Sequence, residues 1–218
     1  MTATRVLCSA VATTATSLLL GCAAAPPQDA TETTATATTL PHEVPPGELD
    51  EYYAFFSGGH SGEVRVAGFP SLRVLKRIPV WNLDSASGWG ITNESKAMMD
   101  GMVTGDTHHV HPSYADGTYD GKWLFVNDKA NNRLARIRID TLEVDATLNI
   151  PHTQGTHGVF PQRAPTTEWV VLNSEFRSPF ENDGEGDMLD ASSYGGVHTI
   201  VDAESMEIAG QVTTPVNL

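Results

Sequence analysis

Three times the chain turns on the same four-residue unit: a small hydroxyl residue, an apolar one, a charged one and a β-branched or branched apolar one. The copies are Ser71-Leu72-Arg73-Val74, Thr141-Leu142-Glu143-Val144 and Ser205-Met206-Glu207-Ile208. Four positions after each copy comes another apolar residue, at Ile78, Leu148 and Val212. Segments 63–66, 135–139 and 198–201 lead into these turns with the period-two pattern of strands. A hairpin repeated in this way cannot bury its apolar face alone, so stacked copies are expected. The expectation is an all-β body, a partial β-propeller. The apolar members lie 70 and then 64 residues apart, more than the roughly 40 to 50 residues of a common blade. Insertions must therefore separate the repeats, and a sandwich with elaborated loops is the competing architecture. Segments 122–127 and 169–172 read as inner strands, and no long helix is expected in the body.

The start of the chain reads as an address. Arg5 precedes an apolar run over 6–20, too short and too diluted by Thr and Ser for a comfortable membrane span. It ends in Leu19-Leu20-Gly21-Cys22, which looks like a lipobox. Residues 1–22 are thus expected to be a signal peptide, with Cys22 the lipidated residue anchoring a periplasmic protein to a membrane. Ordinary cleavage within the Ala-rich stretch is the alternative. Segment 23–50, built largely of Thr, Ala and Pro, reads as a disordered tether. Cys8 and Cys22 are the chain's two cysteines, so residues 51–218 hold no thiolate site or disulfide. Metal chemistry there must use imidazole or oxygen. The formal charge of −14 argues against nucleic acid as a partner and would attract a basic protein, with simple solubility of an exported protein the plain alternative.

Chemistry concentrates in Gly105-Asp106-Thr107-His108-His109-Val110-His111, which reads as a loop. Imidazole suits copper, zinc, iron and nickel, and a nearby carboxylate can orient a ligand ring through its other N–H. Neighbours on a straight strand point to opposite sides. His108 and His109 can share a site only if the backbone is irregular or the site is large enough to be approached from two directions. A solvated histidine patch is the plain alternative. His157, in Gly155-Thr156-His157-Gly158, could join them if successive repeats converge near an axis. His42, His60, His152 and His198 read as solvated or structural, and the acidic stretch 181–187 as an ordinary turn.

Several motifs together resemble the nitrous-oxide reductase family. They are Glu51-Tyr52-Tyr53, Ser57-Gly58-Gly59-His60, Gly62-Glu63-Val64-Arg65-Val66, Arg77-Ile78-Pro79-Val80 and Asp84-Ser85-Ala86. Gly88-Trp89-Gly90-Ile91-Thr92-Asn93-Glu94-Ser95-Lys96, the Asp-Thr-His-His-Val-His run, Asp120-Gly121-Lys122 and Asn127-Asp128-Lys129-Ala130-Asn131 continue the likeness. The resemblance implies that 51–218 forms the first blades of a seven-bladed propeller, which in the family precedes a cupredoxin domain. It implies a tetranuclear copper–sulfide cluster on seven histidines, with His108 and His109 as its first two ligands and His157 as the third. Asp106 would orient a ligand from behind, and His111 would support one. The resemblance further implies a binuclear copper centre, calcium, nitrous oxide as substrate, a cytochrome c or cupredoxin electron donor, and a homodimer. Four of the seven histidines and the cysteines of the binuclear centre have no counterpart in this sequence. The chain is therefore expected to be a fragment that is inactive by itself. A non-enzymatic propeller lipoprotein is the rival reading, and a carboxylate-and-calcium lactonase-like propeller is disfavoured by the histidine-rich run.

Overall fold

The run Trp123-Leu124-Phe125-Val126 is apolar at every position because both faces of its strand are covered. Trp123 and Phe125 enter one core with Leu134, Val159, Leu172 and Met206, whereas Leu124 and Val126 enter another with Val64, Ile78 and Ile137. Successive side chains of a strand point to opposite faces, so a doubly covered strand loses its polar alternation. Truncating Phe125 to alanine would cost about 3–5 kcal/mol.

The computed structural model describes residues 40, 42–82, 92–100, 102–179 and 190–215. The leader with Cys22 and the acidic stretch 181–187 lie outside these. Among the described residues, three antiparallel sheets carry the body. The first is β1 (Tyr52–Ser57), β2 (Glu63–Phe69) and β3 (Val74–Pro79), in that order. The second is a four-stranded meander of β4 (Thr107–Ala115), β5 (Thr118–Asp128), β6 (Arg133–Arg138) and β7 (Glu143–Asn149). In the third, β8 (Gln154–Pro161), β9 (Trp169–Phe176), β11 (Tyr194–Asp202) and β12 (Ile208–Thr214) pair in sequence, and the short β10 (Ser178–Pro179) pairs with the start of β11. The second sheet is shared by both cores, and β8 lies against β4 and β5. Four-stranded meanders stacked face to face are the units of a propeller, so the all-β, partial-propeller expectation holds.

The recurring turn is structural. Leu72, Leu142 and Met206 adopt left-handed conformations, with φ of 58°, 56° and 56°. Each donates its N–H to the residue four back, Gly68, Arg138 and Asp202 respectively, at 2.9 Å. The uneven spacing of the copies arises between hairpins, where residues 80–106 join β3 to β4 and residues 177–193 join β9 to β11. Among the described residues, the α-helical element is the single six-residue α1 (Asn93–Met98), capped by the Thr92 hydroxyl accepting from the Ser95 N–H at 3.2 Å.

Two expectations need correction. The histidine-rich run is a strand, since His108, His109 and His111 lie on β4 and His157 on β8. The fold also takes up the chain before residue 51. Asp50 is buried, accepts from the Ser71 N–H at 2.9 Å and pairs with Arg73 at 2.9 Å.

Candidate metal centre

An extra residue in β4 brings its adjacent histidines to one side. Thr107 faces Asp128 and Val110 faces Val126, so His108 and His109 together stand opposite the single residue Asn127. That is a β-bulge, which bends a strand and re-aims its side chains. The His109 N–H donates to Asn127 Oδ1 at 2.6 Å and pins the bulge. The same device recurs one sheet on. Thr156 faces Ser174 and Val159 faces Leu172, leaving His157 and Gly158 against Asn173. Here the Gly158 N–H donates to Asn173 Oδ1 at 2.7 Å. The two bulges therefore present His108 and His157 from equivalent positions.

The rings meet between the sheets. His157 Nε2 is 2.8 Å from His108 Nε2. Ring centres are 5.1 Å apart for His108 and His109, and 5.0 Å apart for His109 and His157. One nitrogen from each of these three rings lies within 4.8 Å of the others. His111 Nε2 approaches His109 Nδ1 at 3.3 Å, and the two rings stack at 13°. This contact engages Nδ1 of His109 and leaves its Nε2 for another partner.

Burial and neighbouring charges disfavour the charged forms of His108, His109 and His111. Burial, then the neighbouring imidazoles of His108, His157 and His111, push the His109 pKa down to about 4. Burial, then His157 and Lys129, lower that of His108 against the opposing charges of Asp106 and Glu175. Burial and Arg163 lower His111. A neutral imidazole offers a lone pair, so a metal ion need not displace a proton from His109 at neutral pH. Beside the rings, Lys129 and Glu175 form an ion pair that holds the Glu175 carboxyl below its usual range.

Asp106 sits half-buried just before β4, its N–H donating to Asp128 Oδ1 at 2.8 Å. Asp128, fully buried and paired with Arg133, so fixes the entry to the histidine strand. The other histidines stay apart from the group. His42 and His60 are exposed in turns, His152 is in the turn after β7 and His198 pairs with Val212 in β11 and β12. Sequence reasoning missed Asn127 and Asn173. Their signal is an Asn closing each apolar run, Phe125-Val126-Asn127 and Val171-Leu172-Asn173.

Fold and site together define a propeller-type β protein in which the edge strands β4 and β8 of two sheets carry converging imidazoles. Residues 150–218 match the family profile described as nitrous oxide reductase propeller repeat 2. The nitrous-oxide reductase of Stutzerimonas stutzeri is 52% identical over 179 residues, covering 80% of this chain and 28% of that protein. The Pseudomonas fluorescens nitrous-oxide reductase is 53% identical over 179 residues, with the same two coverages of 80% and 28%. Among solved structures, dihydro-heme d1 dehydrogenase NirN in complex with DHE aligns with a TM-score of 0.45 and 13% identity, over 77% of this chain and 27% of that one. By sequence the chain is similar to the nitrous-oxide reductases, and the matched profile is one of their propeller repeats. It spans 28% of the length of the first two relatives.

Proposed function

We propose that this chain contributes the opening blades of a copper-dependent nitrous-oxide reductase. In this reading His108, His109 and His157 supply three imidazole ligands to its tetranuclear copper–sulfide cluster. The observation that carries it is the meeting of His108 and His157 Nε2 at 2.8 Å, from strands of different sheets. Imidazole is a suitable donor for copper, and the lowered pKa values of His108 and His109 leave their lone pairs free. When bound, the copper cluster supplies electrons and a coordination site for reducing nitrous oxide to dinitrogen and water, with two protons consumed.

The chain's own residues hold that site in shape. The bulges aim the rings, and His111 fixes the orientation of His109. Asp106 places a negative charge near His108, favouring a cationic metal. The net charge of −14 suits a basic electron donor, a cytochrome c or a cupredoxin. The binuclear copper centre, calcium and homodimer are carried over from the family. We further assign 1–22 as a signal peptide lipidated at Cys22, the chain from 23 as a tether that ends where Asp50 is anchored to Ser71 and Arg73, and 51–218 as propeller, which makes the protein periplasmic and membrane-anchored.

The test is copper binding by the 218-residue chain and by its His108→Ala, His109→Ala and His157→Ala variants. Each substitution is expected to lower the copper content and to reduce the nitrogen scattering around copper in the X-ray absorption spectrum. Unchanged copper content in all three would refute the ligand assignment. Labelling with a fatty-acid analogue should tag Cys22, and an unlabelled mature protein would refute the anchor.

A further inference from the structure

Asn127 is fully buried and works across two sheets. Its Oδ1 accepts from the His109 N–H at 2.6 Å, within its own sheet. Its Nδ2 reaches the neighbouring sheet, donating to Thr156 O at 2.6 Å and His157 O at 2.8 Å. Both amide hydrogens and the carbonyl oxygen are therefore committed to the backbone on either side of the metal centre. Its counterpart Asn173 holds Gly158 within its own sheet. The Asn127 bridge stands at the seam where the imidazoles meet.

We propose that Asn127 is a positioning residue that fixes the separation of the two histidine-bearing strands. Through backbone atoms it ties His109 to His157, so that the rings are delivered from strands locked to each other. The inference rests on reading these imidazoles as copper ligands. A buried amide with all its hydrogen bonds made resists displacement, because moving either strand would leave a buried polar group unpaired. Groups that orient metal ligands without touching the metal typically change affinity 10–100-fold when lost.

Asn127→Asp tests this with little change in size. The carboxylate still accepts from the His109 N–H, but its second oxygen now faces two carbonyls where a donor stood. Cu(I) affinity is measured for the full 218-residue chain by competition with a chromophoric chelator, beside the melting temperature of the metal-free protein. The expected result is binding weakened about 10–100-fold. In a His157→Ala background the same substitution should change affinity by less than about threefold, because the strand it holds no longer carries a ligand. Asn127→Ser, which can still offer one hydrogen bond, should fall between wild type and Asn127→Asp.

Equal Cu(I) affinity in wild type and Asn127→Asp would overturn the inference while leaving the copper reading intact. The same loss in the His157→Ala background would also overturn it, since a general structural defect would not depend on His157. Failure of both Asn127 variants to fold would make the residue a folding requirement and overturn it likewise. A wild-type chain that binds no Cu(I) would sink the copper reading, and this inference with it.

Discussion

The Nε2 atoms of His108 and His157 face each other at 2.8 Å from strands of two different sheets. In the metal-free protein one ring must donate to the other, and two protonated rings so close would repel. His109 stands beside them with its pKa pushed down to about 4 by burial first, then by the other imidazoles.

That shift fixes the direction of the pH response. The unfolded chain takes up a proton at His109 near its ordinary 6.5, whereas the folded chain resists until about 4. Unfolding therefore binds a proton between these values, and stability rises with pH across the window. The contribution is complete above 6.5 and is lost progressively as pH falls toward 4. The urea midpoint of the metal-free chain should drop from pH 7.5 to 5.5 and again to 4.5. His109→Asn should flatten that dependence, and an unaltered slope in the variant would exclude His109 as its source.

His111 acts on His109 from behind, with its Nε2 at 3.3 Å from Nδ1. His111→Phe keeps a stacked ring and removes the nitrogen, so His109 loses the partner that fixes its orientation. Copper should bind about 10-fold more weakly with stoichiometry unchanged. Full loss of one copper equivalent would instead make His111 a ligand.

The outer hairpins were legible in the sequence because their strands alternate and their turns repeat. The histidine-bearing strands β4 and β8 were not. Residues 107–115 carry three histidines and a proline where a buried strand would ordinarily carry β-branched residues, and 154–161 carry two glycines, a histidine and a proline. Composition devoted to the site erases the apolar pattern, so the run reads as loop. The question of how His108 and His109 could face one way was visible in the sequence, but its answer was not. A bulge is a property of pairing, and it depends on Asn127, 18 residues from His109. His157 was linked to the pair chiefly by family resemblance, since nothing local to Gly-Thr-His-Gly reveals which strand it lies against.

Away from the histidines, Arg136 joins the second sheet to the third. Its Nη1 donates to Ala203 O at 2.6 Å and Glu204 O at 2.7 Å, and its Nη2 pairs with Asp145 at 2.9 Å. The guanidinium also lies 4.7 Å from the Trp123 ring centre. Lysine cannot make these bonds together, because they need a planar fork of donors. Arg136→Lys should cost about 1–2 kcal/mol and Arg136→Ala about 2–4 kcal/mol in urea denaturation. Copper content at the His108, His109 and His157 cluster should stay the same. A cost below about 0.5 kcal/mol, the range of an ordinary surface change, would remove Arg136 as a staple between the sheets.

The repeated turn yields a test in which one substitution has opposite signs. Leu72 and Met206 hold the same left-handed conformation, with φ of 58° and 56°. For a residue with a Cβ this costs about 1–2 kcal/mol relative to the right-handed region. Met206 offsets the strain by burying its side chain in the core with Trp123 and Leu172, whereas Leu72 is 65% exposed. Asparagine tolerates the conformation through local hydrogen bonding but is a poor core residue. Leu72→Asn should therefore raise stability by about 0.5–1 kcal/mol, and Met206→Asn should lower it by about 2–4 kcal/mol. Parallel urea titrations of the two variants measure both. If both destabilise by similar amounts, the apolar residue at the first turn is held by packing rather than merely tolerated, and the account of the turn given by its backbone conformation is wrong.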